Sequence, residues 1–250
     1  MGKSLGISYK MAEGLRDEMT AYVRASNDSF INTERLFKAQ MGLTEQLGIA
    51  VDFGNEERAT FARLTELTGL SAQEAGKLAQ ASAAAGMSTE TYTKGIREGA
   101  FAAMQATKTH FSMRDVMKDI SSLSAGTLVK FQGNPKALAA AVVEAKKLGT
   151  NLQQIDKIGD SLLQWESSIE NELQAELLTG KQINLERARA AALTGDQLAL
   201  TREISSQVGT LANFQKMNVI AQGSLAKAFG LSRDEMAEML MKQEAVNKYG

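Results

Sequence analysis

An all-α fold, an array of short to medium helices joined as helical hairpins with no β-sheet, is what this sequence predicts. Three observations carry the prediction. Hydrophobic residues make up 44% of the chain but aromatics only 6%, so the apolar content is mostly alanine, leucine and methionine, which form helices readily. Val, Ile, Tyr and Thr never alternate with polar residues over a strand-length window. A single proline in 250 residues leaves helix interiors unbroken.

The elements follow in order from their punctuation. Helices are expected near 6–26 and 30–47. The next, 55–68, stops before Gly69, a residue suited to the left-handed helix end. Ser71 and Glu74 have capping-box spacing and open 72–85. The helix 89–109 holds Gly95 and Gly99, a small-xxx-small step, and interior glycines cost roughly 1 kcal/mol each, so a close helix neighbour is expected there. Then comes 113–130. Asn134 before Pro135 opens 135–148, which ends at Gly149. One long amphipathic helix is expected near 152–178, ending at Gly180. After 184–193, the Thr194/Gln197 pair opens 195–208 as a second capping box. Helix 210–228 ends at Gly230, and Ser232 with Glu235 opens 232–248. Connections this short make neighbouring helices fold back or turn sharply. The segment Val51 to Asn55 is the best break, dividing the chain into an N-terminal helical pair, 1–53, and a main helical body, 54–250. The motif Gly–apolar–Ser recurs at Gly69, Gly86 and Gly230, at intervals too irregular for a solenoid.

The long helix is the most informative of these. Ile155, Ile158, Leu162, Trp165 and Ile169 recur at spacings of three and four, which aligns them on one narrow stripe. Asp156, Asp160, Glu166, Glu170, Glu172 and Glu176 cover much of the remaining surface. Such a stripe is stable only when another helix covers it, so these five residues are the expected helix-association surface, whether as core or as oligomer seam. The acidic side chains are expected to be solvated or to meet a basic partner.

Several function classes lose their footing. Lys plus Arg number 28 against 29 Asp plus Glu, a net charge of −1 with no basic tract, so neither specific nucleic-acid binding nor an anionic membrane surface is expected. The longest apolar run, Ala137 to Val143, is far below the ~20 residues of a membrane span. Cysteine is absent and His110 is the only histidine, so zinc sites and Ser–His or Cys–His pairs lack parts. The pairs Glu166/Glu170 and Glu172/Glu176 come without the Glu-x-x-His motif of helical di-metal centres. Gly2-Lys3-Ser4 and Gly180-Lys181 are incomplete phosphate-loop fragments, and Met1-Gly2 starts an acylation signal that fails at Gly6. Residues 67–80 have helix-turn-helix spacing, but the second helix brings only Lys77. No catalytic, metal-binding or cofactor-binding residue is assigned.

Several runs are similar to a family of tape-measure-like structural proteins of bacteriophage tails. They are Asn32 to Leu36, Leu47 to Ala50, Leu64 to Ala75 and Lys130 to Ala139. The longest is Leu162 to Arg189, followed by Ala192 to Asp196, Phe214 to Val219 and Leu231 to Met236. The resemblance implies a non-enzymatic helical virion protein inside or at the end of the tail, assembled in the host cytoplasm. It implies partners among other copies of the chain and the tail tube, baseplate or tail assembly proteins, and brings no cofactor. Members of that family are usually much longer and carry strongly hydrophobic segments, which this chain lacks, as a fragment or a shortened relative would. A continuous helix of this length would reach roughly 375 Å at 1.5 Å per residue. The dense glycine and cap punctuation instead predicts a compact or multi-hairpin body. A cytosolic helical adaptor that binds partner helices is the rival reading.

Overall fold

The computed structural model describes residues 9–249, and over them the chain is all-α, with fifteen α-helices and no strand. They are α1 (Tyr9–Ser26), α2 (Thr33–Leu47), α3 (Asn55–Ala62), α4 (Ala72–Ala84), α5 (Thr89–Thr107), α6 (Met113–Ser121), α7 (Ala125–Val129) and α8 (Pro135–Lys147). After them come α9 (Leu152–Leu162), α10 (Trp165–Thr179), α11 (Glu186–Thr194), α12 (Gln197–Val208), α13 (Leu211–Gln215), α14 (Val219–Ala228) and α15 (Arg233–Tyr249). A π-helical turn, Arg63–Leu67, continues α3. The first residues of the expected helix 6–26, the Gly2-Lys3-Ser4 fragment and the Met1-Gly2 start lie outside the described residues.

The caps explain most boundaries. Ser71 and Glu74 bond each other's backbone, as do Ser232 and Glu235. Asn134 accepts from the amides of Lys136 and Ala137 ahead of Pro135. Gly69, Gly149, Gly180 and Gly230 all have positive φ at helix ends. The expected Thr194/Gln197 box does not form. Thr194 is the last residue of α11, Gly195 takes the left-handed turn, and Asp196 caps α12 by accepting from the amide of Ala199. An aspartate two residues closer to the apolar run displaces the threonine.

Three expected helices are each interrupted once. Ser124 caps a new start inside 113–130, and Asn218 does so inside 210–228. The long helix near 152–178 is broken at Leu163 and Gln164 into α9 and α10.

The chain falls into two compact units, one built from the described residues up to Gly95 plus Met113–Ser122, the other from Ile96–Ser112 plus Leu123 onward. The expected division at 53/54 falls inside the first unit. Leu15 and Met19 of α1, Ile31, Leu36 of α2 and Ala59 of α3 form one cluster there, so α3 shares the core of the N-terminal pair. The segment expected as the break, Val51 to Asn55, is tied down. Buried Arg58 bonds Gln40, Asn55 and Asp52, and Gln40 also bonds the backbone at Val51 and Phe53. Gly42 is held against the ring of Phe61, where a Cβ would stand 2.7 Å from Cε1.

In the second unit α8, α9, α11 and α12 pack on one another through Leu138, Val142, Ile155, Ile158, Leu162, Ala188, Leu200 and Ile204, all buried. α14 and α15 pack together and bury Leu225, Met236 and Leu240. Gly99 meets the close neighbour its presence predicted, because a Cβ there would collide with the backbone of Lys136 at the start of α8. Gly149 is pressed onto α15, where a Cβ would collide with the carbonyl of Met239 and the amide of Gln243.

Candidate interaction surface

The break at Leu163–Gln164 divides the predicted stripe into two chemically different halves. Ile155, Ile158 and Leu162 on α9 are fully buried and belong to the core. Trp165 and Ile169 on α10 are 49% and 44% exposed. In an uninterrupted helix all five would share one side. The backbone bonds through the break run from the amide of Leu163 to the carbonyl of Gly159 and from that of Gln164 to Ser161, and Gln164 supplies no side-chain cap to α10. α10 therefore starts afresh with a different face inward. Its buried residues are the small Ser168 and Ala175. The helix it packs against most extensively, α14, also buries small residues, Ala221, Ser224, Ala226 and Ala228.

Turning small residues inward turns large ones outward. Trp165 and Ile169 continue into Leu173 and Leu177, 60% and 83% exposed, as a row with a spacing of four. Such a row is a ridge on the helix surface, the element that packs into the groove of a second helix. Most large apolar side chains of this unit are inside, so four consecutive outward positions on one ridge stand out from the scattered exposed leucines of an ordinary surface. Leu173 and Leu177 were missed in the sequence because the spacing of three and four ran out at Ile169. The repeat of four that replaces it was the available signal.

The acidic groups of α10 have separate tasks. Glu172 is not solvated. It pairs with the guanidinium of buried Arg189, whose Nε donates to Ser168 Oγ at 3.1 Å, and it accepts the amide of Leu185 at 3.0 Å. Glu176 accepts the amide of Ile183 at 2.8 Å. Both carboxylates thus hold the 180–185 connection against α10, in place of the solvated role expected for them. Glu166 and Glu170 point into solvent and form no ion pair among the described residues. Asp156 is likewise an internal hub, accepting from Thr127 Oγ1 at 2.7 Å, from Gln197 Nε2 at 2.9 Å and from Lys130.

Other places for chemistry are poorer. An open depression of about 540 Å³ lies between the α7–α8 connection, around Lys130 to Asn134, and the α11–α12 turn, from Thr194 to Leu198. Its one cation, Lys130, is already paired with Asp156. Gln197 Oε1 has no bonding partner, and it is sealed from solvent, so it presents no reachable acceptor. His110 is exposed in the loop after α5. Among the described residues no group of three or more His, Asp or Glu is placed to hold a metal ion. No described helix is long and apolar enough to cross a membrane. Lys77 on α4 is exposed with Gln73 and Glu74 beside it, and no second cation joins it on that helix.

Comparison of the chain with protein-family models, with curated proteins and with solved structures finds no match.

Proposed function

We propose that this chain is a non-enzymatic structural and assembly protein of a bacteriophage tail, of the tape-measure-like kind that its residue runs resemble. It acts by helix–helix association inside or at the end of the tail. The observation that carries the reading is the exposed ridge Trp165, Ile169, Leu173 and Leu177 on a body whose other stripe residues are sealed inside. An uncovered apolar ridge of this kind on a helical body supports a partner surface. The longest run of the resemblance, Leu162 to Arg189, spans this ridge together with the Glu172–Arg189 lock that holds α10 in position. Partners in this reading are other copies of the chain and tail tube, baseplate or tail assembly proteins, and the place is the virion tail, assembled in the host cytoplasm. No cofactor takes part.

A second reading, a cytosolic helical adaptor, is favoured by one observation: the helices close into compact units. Mass spectrometry of purified tailed particles from the cell that encodes the chain separates the two. Peptides of the chain at constant stoichiometry to tail tube protein are expected. Their absence from particles, with the chain abundant in the cell extract, overturns the tail reading and leaves the adaptor standing.

A further inference from the structure

We propose that the ridge on α10 seats an amphipathic helix of a separate protein, apolar along one face and carrying Lys and Arg beside that face. The inference rests on the helix-association reading above and names the chemistry of the partner.

The first argument is the row spacing. Trp165, Ile169, Leu173 and Leu177 follow the i, i+4 ridge, and two such ridges interlock in the commonest class of helix packing, with axes crossing near −50°. The complement to this ridge is another helix with its own apolar row.

The second argument is charge. α10 carries four glutamates and no cation along its whole length. Glu172 and Glu176 are committed to Arg189 and to the amides of the 180–185 connection. Glu166 and Glu170 remain exposed, each one position after a ridge residue, and on a helix wheel they lie close to Leu173 and Leu177. They form an anionic rim along the first two turns; the cation that touches α10, Arg189, is buried and paired with Glu172, and the nearest in sequence, Lys157 and Lys181, lie beyond either end of the helix. A rim of one sign admits a partner of the opposite sign and repels a partner of its own. Two copies of α10 laid against each other would join two helices that have no lysine or arginine between them. Self-pairing through this ridge is therefore the disfavoured occupant.

The test uses the intact chain and two labelled 18-residue helical peptides with the same leucine pattern, one with lysine and one with glutamate on the polar positions. Fluorescence anisotropy is expected to show the lysine peptide binding and the glutamate peptide not binding. Raising salt from 50 to 300 mM should weaken the lysine peptide by about fivefold or more, since the rim is exposed and screened. Ile169→Asp with Leu173→Asp should abolish binding. Leu173→Gln alone, at an open position, should weaken it about tenfold with an unchanged melting curve, which keeps the test valid if the double variant misfolds. Glu166→Gln with Glu170→Gln should remove most of the salt dependence. Equal binding of both peptides, or binding that survives Leu173→Gln, overturns the proposal. Sedimentation showing a dimer that Leu173→Gln dissolves gives the ridge to a second copy; this overturns the present inference and leaves the assembly reading standing. Association that takes place in particles while all ridge variants bind and assemble normally removes the ridge from both.

Discussion

Glu172 carries two loads with one carboxylate, the buried guanidinium of Arg189 and the amide of Leu185. Removing one member of a buried pair strands the other, so Glu172→Ala should cost about 3–5 kcal/mol in urea unfolding. Replacing both, Glu172→Leu with Arg189→Met, should recover much of that loss, because no charge is left buried. It should not recover all of it, since the Leu185 amide then lacks its acceptor, a loss of about 1–3 kcal/mol. A double variant as weak as Glu172→Ala would show that the pair is not the source. The capping glutamates predict an acid response. Glu74 is held below the usual glutamate range chiefly by the backbone amide of Ser71, and Glu235 by that of Ser232. A carboxylate with a lowered folded-state pKa stabilises above its unfolded pKa and loses that contribution as pH falls through the folded one. Glu74→Gln with Glu235→Gln keeps an acceptor at each cap but removes the titration. The variant should therefore show a shallower fall in melting temperature between pH 5 and pH 3 than the parent chain, read by circular dichroism.

Among the elements, the helix ends discriminate most sharply. Gly149 and Gly180 both have positive φ, yet a Cβ at Gly180 meets open space while one at Gly149 meets the backbone of α15. Gly180→Ala should cost roughly 1–2 kcal/mol for the left-handed backbone alone. Gly149→Ala should cost about 3 kcal/mol or more, since α15 must also give way. Equal losses in chemical denaturation would mean that α15 yields freely there. The same ends show what was legible beforehand. Ser71, Asn134, Ser232 and the glycines after helices are local signals, and the helix ends they mark appear where the sequence put them. Ser124 and Asn218 were also visible as cap residues, but apolar periodicity ran straight past them and masked the interruptions. The α9–α10 break has no cap residue at all. Gln164 makes no side-chain bond, so the break is imposed by packing: small residues of α10 near α14 and the Glu172–Arg189 lock fix which face turns inward. Tertiary demands of that kind leave no trace in a window of eighteen residues. They also explain why the stripe was read as one surface when it is half core and half exterior.

For the molecule as a whole, the two halves of the stripe should behave oppositely. Leu162→Ala, at a fully buried position, should destabilise the second unit by about 2–5 kcal/mol. Leu173→Ala, at 60% exposure, should change stability by no more than about 0.5 kcal/mol. Comparable losses at the two sites would place Leu173 in the core and remove the exposed ridge. On the proposed reading stability and function then separate along the chain: the stripe residues of α9 serve folding, and the outer ridge of α10 serves partner binding.

Trp165 is the sole tryptophan of the chain and stands at the head of that ridge, half in water. The protein thus carries its own optical probe at the proposed point of contact, with no competing indole to dilute it. In the free chain its emission should be red-shifted and readily quenched by acrylamide, and engagement of α10 should move the emission to the blue and shield it, so that docking is read as colour from the unlabelled protein.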